Sequence, residues 1–223
     1  MNPVILTTMP TETNMLAIAS RGGFLMIVLL IISIIAIAII IERLLLLKKT
    51  KKSEDELLQD IYGKLADNKA EQAIQTCEQQ DNTPFARVLT RALDMMGSRY
   101  EELKEIVEFS VKKEVHKFQK NLGTLATFAA IAPLVGFLGT VTGMVKVFMR
   151  ISETGGGVDI TLLASGIWEA LLTTVGGLTV GIICILFYNY LVGRVEEIAQ
   201  DLEENSSEFL INIQRINRKN SIR

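Results

Sequence analysis

Three long stretches of this chain carry almost no charge, and a chain that must keep them from water has few folds open to it. Gly22 to Ile41 is 20 residues without a charge, closed by Glu42-Arg43. Leu44 to Leu47 extend it to a basic stop at Lys48, Lys49, Lys51 and Lys52. Asn121 to Val145 gives 25 uncharged residues between Lys120 and Lys146, and Ile160 to Gly193 gives 34, broken only by Glu169. A bilayer core about 30 Å thick needs roughly 20 apolar residues at about 1.5 Å of rise each, so each stretch reads as a membrane-spanning helix. A cleaved signal peptide is the competing reading of the first. Its apolar run is too long for that, and its positive charge follows the run instead of preceding it.

The expected fold is therefore all-α: a membrane protein with three transmembrane helices, two of them extended into long cytoplasmic helices. Composition removes the alternatives. With 49% hydrophobic residues the chain is too apolar to be disordered, and two cysteines in 223 residues make no disulfide scaffold. Lys+Arg 23 against Asp+Glu 25 leaves no basic excess for nucleic acid.

Orientation follows from the basic residues. The arm up to Arg21 has one and the region 146–159 has two, Lys146 and Arg150, whereas 43–120 has 15 and the tail after Gly193 has five. The basic sides are cytoplasmic, which puts the N-terminus outside and the C-terminus inside. The resulting division is an outer arm 1–21, span one 22–47, a cytoplasmic helical region 48–120, span two 121–149, an outer turn 150–160, span three 161–193 and a cytoplasmic helix 194–223. In the cytoplasmic region Leu57, Leu58, Ile61 and Leu65 recur at helical spacing, as do Ala70, Ala73, Ile74 and Cys77. Thr83-Pro84 reads as a cap and first turn of a helix ending near Gly97. From Ser98 to Phe148 a single helix is expected to run on into span two. In the tail, Val195, Ile198, Leu202, Phe209 and Ile213 form one stripe that packs against the cytoplasmic extension of span two.

Span one is Ile/Leu-rich all round, as suits lipid contact. Spans two and three instead place small residues at three- and four-residue intervals, with Gly136, Gly139 and Gly143 in one and Ala170, Gly177 and Gly181 in the other. Such faces let helix backbones approach closely. Two of them per chain point to helix packing and to homo-oligomerisation around an axis. Glu169 is the costly residue, because an acid in a membrane helix usually faces a bundle interior or an ion path. Placement near the outer end of span three, reaching the interface, is the plainer alternative. Thr173 lies one turn from Glu169 on the same face, Thr174 about 140° away, and Thr140 is the polar candidate in span two.

An enzyme is not expected. His116 is the only histidine and lies in a charged stretch, so a Ser-His or metal site has no second part. Cys77 and Cys184 lack metal-ligand spacing, and no Walker-type glycine loop is present. No metal and no cofactor is implied.

Two motifs carry a family resemblance. Ala132-Pro133-Leu134-Val135-Gly136-Phe137-Leu138-Gly139-Thr140-Val141-Thr142-Gly143-Met144 and Gly166-Ile167-Trp168-Glu169-Ala170-Leu171-Leu172-Thr173-Thr174-Val175-Gly176-Gly177-Leu178 resemble the MotA/TolQ/ExbB proton-channel family. The three-span layout is closest to ExbB and TolQ, since MotA-type stators have four spans. The resemblance implies the inner membrane of a Gram-negative bacterium, with a periplasmic N-terminus. It implies a homopentamer around a dimer of a single-span partner of ExbD or TolR type, with a TonB- or TolA-like protein as a further partner. Protons then run down their gradient and the complex does work on the cell envelope, such as TonB-dependent import or Tol-Pal maintenance. The family's span-two threonine maps onto Thr140, its span-three acid onto Glu169 and its following threonine onto Thr174, whereas the helical angle favours Thr173. The basic pair Lys146 and Arg150 departs from the pattern. A non-conducting membrane scaffold ring remains the alternative of a different class.

Overall fold

The computed structural model describes residues 23–48, 54–67, 69–79, 83–153 and 160–221. The expected outer arm and the glycine-rich turn at 154–157 lie outside these residues. The described residues form helices only: α1 (Gly23–Lys48), α2 (Glu54–Ala66), α3 (Ala70–Gln79), α4 (Pro84–Asp94), α5 (Tyr100–Gln119), α6 (Leu122–Glu153) and α7 (Ile160–Ser221). Three helical stretches are long and apolar enough to cross a membrane: α1, Tyr100–Glu153, and Leu163–Arg215 within α7. Two compact units divide the chain, Met1–Ala38 with Thr124–Leu186, and Ile39–Gly123 with Phe187–Arg223.

The second unit has a hydrophobic core of its own. Leu57, Leu58, Ile61 and Leu65 of α2 meet Ala73 and Cys77 of α3, and the apolar side of α4 (Phe85, Val88, Leu89, Ala92) closes over them. Ala70, expected on the α3 stripe, is exposed. Leu103, Val107 and Val111 of α5 share the cluster with Leu202, Phe209, Leu210 and Ile213 of α7, so the tail stripe packs as its spacing implies. Tyr62 stacks on Phe209 with ring centroids 6.3 Å apart, and Asn212 donates to the Tyr62 hydroxyl at 3.0 Å. Thr83 caps α4 by accepting from the Ala86 amide at 3.3 Å, ahead of Pro84. That satisfies one of the amides a helix start leaves free.

One expectation is corrected. The helix beginning at Tyr100 does not run unbroken into span two: α5 ends at Gln119 and α6 begins at Leu122. Asn121 between them has φ 65°, a left-handed conformation that asparagine tolerates better than most residues. The break is held by α1. Arg43, 4% exposed, donates to the Lys117 carbonyl at 2.9 Å and to Glu42 at 2.9 Å, and Asn121 donates to the other Glu42 oxygen at 3.4 Å. A guanidinium thus takes one of the carbonyls that the end of α5 leaves without a helical donor.

A second buried charge sits higher on α5. Glu114 is 3% exposed; its Oε2 accepts from Arg87 Nε and Nη2 at 2.9 and 2.7 Å, and its Oε1 from Lys117 at 2.7 Å. Burial pushes its carboxyl up, but the hydrogen bonds and charges of Arg87 and Lys117 outweigh that and hold it below 4.5. A lowered folded pKa contributes stability that is complete above the unfolded value and is lost as pH falls through the folded one. Glu114→Gln should therefore lower stability at pH 7 by about 1–3 kcal/mol. It should also flatten the decline of the thermal midpoint below about pH 5, which thermal unfolding of the purified protein across pH will show.

Candidate functional site

In the first unit α6 and α7 run antiparallel and touch at a series of levels, each pairing a small residue with what it admits. Taking glycines as if they bore a Cβ shows how tight the contact is. At Gly136 the added atom would lie 2.8 Å from the Thr173 carbonyl and 3.0 Å from the Gly177 Cα, and at Gly177 it would lie 2.8 Å from the Gly136 Cα. At Gly143 it would lie 2.8 Å from the Ala170 Cβ, and at Gly181 2.6 Å from the Pro133 ring. Gly139 admits the Thr173 side chain, and Gly166 admits Val147. Distances under 3.0 Å have no room for a real side chain, so these glycines set the separation of the two backbones. All six small residues singled out in the sequence belong to this one contact. The two small faces are its two halves.

Pro133 explains the Gly181 level. Proline has no amide to give the Ala129 carbonyl, and its ring crowds the preceding turn. Gly181 provides the space on the facing helix, where an added Cβ would also come within 3.3 Å of the Ala129 oxygen. α1 packs against the same pair, with Leu29 and Ile32 clustered on Ala132 and with Met26, Phe128 and Val180 around them. Span one is thus not bare on all sides. Its other faces, including Phe24, Ile27, Ile31 and Ile34, are exposed.

The close approach brings hydroxyls together. Thr140 Oγ1 on α6 lies against Thr174 Oγ1 on α7 and also donates to the Ala170 carbonyl at 3.2 Å. Thr174 donates to the Gly136 carbonyl at 3.1 Å. Both threonines are half-buried. Thr173, by contrast, is 2% exposed: its hydroxyl donates to the Ala170 carbonyl at 2.7 Å, and that same hydroxyl end enters the notch at Gly139. The structure therefore joins Thr140 to Thr174 and buries Thr173 against Gly139, with its hydroxyl 3.4 Å from the Gly136 carbonyl. Each hydroxyl of the pair has a single proton, so at any moment one donates to the other while its partner donates to a carbonyl, an exchange that a proton relay or a cation-coordinating step can use.

Glu169 is half-buried and turned elsewhere. Its Oε1 lies beside the first residue of α1, where a Cβ added to Gly23 would come within 3.0 Å of it. Ala170, the next residue, is almost fully buried on Gly143, which fixes the rotation of α7 at this level. Gly23 was not among the residues selected from sequence, although a Gly-Gly pair opening an apolar run was the available signal. Elsewhere, His116 is exposed on α5, and both cysteines are buried and free. Burial pushes the Cys77 thiol up to about 11, which keeps it out of thiolate chemistry. Among the described residues no three His, Cys, Asp or Glu side chains cluster as metal ligands.

The profile described as the MotA/TolQ/ExbB proton channel family matches residues 80–204. The chain is 32% identical over 141 residues to the biopolymer transport protein ExbB-like 1 of Synechocystis sp., covering 62% of this chain and 55% of that protein. It is 33% identical over 103 residues to the Tol-Pal system protein TolQ of Haemophilus influenzae, covering 46% and 45%. To the biopolymer transport protein ExbB of Neisseria gonorrhoeae it is 31% identical over 112 residues, half of each chain. The chain thus spans about half the length of the curated relatives it matches.

The helix contact predicts a contrast between glycines. Gly136→Val should destabilise the detergent-solubilised protein by about 1–3 kcal/mol through overpacking. Gly193→Ala, where an added Cβ meets nothing within 4 Å, should be neutral or stabilise by up to about 1 kcal/mol. Thermal midpoints of the two variants read the difference directly.

Proposed function

Because the chain belongs to the MotA/TolQ/ExbB proton channel family, we propose that it is an ExbB/TolQ-like subunit of an inner-membrane proton channel that couples the proton motive force to work on the cell envelope. The observation that carries the reading is the Thr140–Thr174 hydroxyl pair, set between two membrane-crossing helices, with the span-three acid Glu169 five residues before Thr174 on α7 and turned toward Gly23. In this proposal Glu169 takes up the ion, and Thr140 and Thr174 carry or coordinate it. Thr173 holds the helices at the spacing the pair needs. The N-terminus is periplasmic, and five copies surround a dimer of a single-span partner of ExbD or TolR type. The role is transport and not catalysis of a covalent step. One charge crossing about 100 mV releases about 2.3 kcal/mol, so a few protons supply useful work without a nucleotide.

Relatives named ExbB and TolQ both match the chain, and the proposal is of what those two systems share. TonB-dependent import is the process we assign first, with Tol-Pal maintenance the second. The test is substitution within the intact membrane complex. Glu169→Gln should lower proton-driven activity by about 100-fold, the scale of losing a proton-transfer group, while co-purification with the single-span partner is retained. Thr140→Val and Thr174→Val should each lower it by at least about tenfold, and Thr173→Val should instead lower the thermal midpoint. Full activity in Glu169→Gln and Thr140→Val, with the partner still bound, would replace the channel by a non-conducting scaffold ring.

A further inference from the structure

Glu169 is held on one side by the packing of Ala170, and the other side calls for an explanation of its own. Gly23 has φ +66°, a left-handed value that excludes it from a helix interior and makes it the point where α1 begins. A side chain there would be strained for any L residue. It would also crowd the carboxylate, because the atom an added Cβ meets is Glu169 Oε1, at 3.0 Å. The following side chain, Phe24, is 77% exposed and leaves the place open. The start of a helix offers amides with no intrahelical acceptor and a partial positive charge. A carboxylate beside such an end is favoured by that partial charge.

The geometry points to Gly23 as a positioning residue for Glu169: the missing side chain is the space in which the carboxylate rests, at the amino end of α1. The contact stands on the geometry alone, while its effect on transport rests on the proposed role of Glu169 in the ion path. It gives α1 a part in the site that the threonine pair does not reveal. A shift of the first turn of α1 would move the seat of the acid without touching α6 or α7.

Gly23→Ala introduces both backbone strain and crowding of the carboxylate. Glu169→Asp, one methylene shorter, withdraws the carboxylate and relieves only the crowding. The experiment is a double-mutant cycle in the full chain with its partner present. Gly23→Ala should lower proton-driven activity by about tenfold in the parent, and by about twofold or less when Glu169→Asp is also present. Equal losses in the two backgrounds would overturn the proposal and leave Gly23 as a helix-start glycine only. A second measurement covers the case in which Glu169→Asp is itself inactive. The infrared carboxylate band assigned to Glu169 by its loss in Glu169→Gln should shift in Gly23→Ala in purified protein in liposomes, and an unshifted band overturns the contact. If Glu169→Gln keeps full activity the ion-path reading falls, yet the infrared shift still decides the seat of the carboxylate.

Discussion

The approach of two helix backbones at Gly136 and Gly177 is the constraint on which the rest of the first unit depends. In lipid there is no hydrophobic force between helices, so α6 and α7 hold together by contact and by hydrogen bonds across it. Only residues without a Cβ permit that approach, since an added atom on either glycine would lie within 3.0 Å of the other's backbone. Short hydroxyl side chains can then reach across. Thr140 meets Thr174, and these two reach the carbonyls of Ala170 and Gly136 on the facing helices. A threonine hydroxyl on a helix commonly bonds its own preceding turn, as exposed Thr142 and Thr179 do here. The close contact is what turns Thr140 and Thr174 outward from their own helices.

Most of the architecture was legible because it follows from period and charge. Apolar runs of bilayer length gave the spans, and the stripes at 57–65 and 195–213 gave the faces that meet in the second unit. Thr83-Pro84 gave a helix start. The break at Asn121 had a local signal, an asparagine after the basic Lys117 and Lys120, which the expectation of an unbroken helix passed over because no proline stands there. Arg43, which braces the break, lies 74 positions from the carbonyl it bonds, and no local window contains that pair. The buried Glu114 was hidden for the same reason, as one acid among many on a charged helix whose partner Arg87 lies on α4.

The candidate site shows the same division. Residue types marked Glu169 and Thr140, and small-residue spacing marked the packing face. Helical angle alone paired Glu169 with Thr173 and left Thr174 to the motif. Both threonines in fact face α6, 100° apart on an ideal helix, one entering a glycine notch and the other meeting a hydroxyl. Which fate each meets depends on whether Gly139 or Thr140 stands opposite, and that is a matter of register between helices. Periodicity within one helix carries no information about it.

That register has a consequence for how the sequence can drift. Three levels of the α6–α7 contact match one larger or ring-bearing group with one vacancy: Pro133 with Gly181, Thr173 with Gly139, Val147 with Gly166. The summed volume at a level is therefore constrained more tightly than either residue. Chains sharing this fold can exchange the bulky and the small partner between helices, provided both change together. Substitution on one side alone forces the helices apart at that level, and neighbouring levels separate with it. Paired, compensating volume changes at these positions are the pattern that such a contact leaves in a set of diverged sequences.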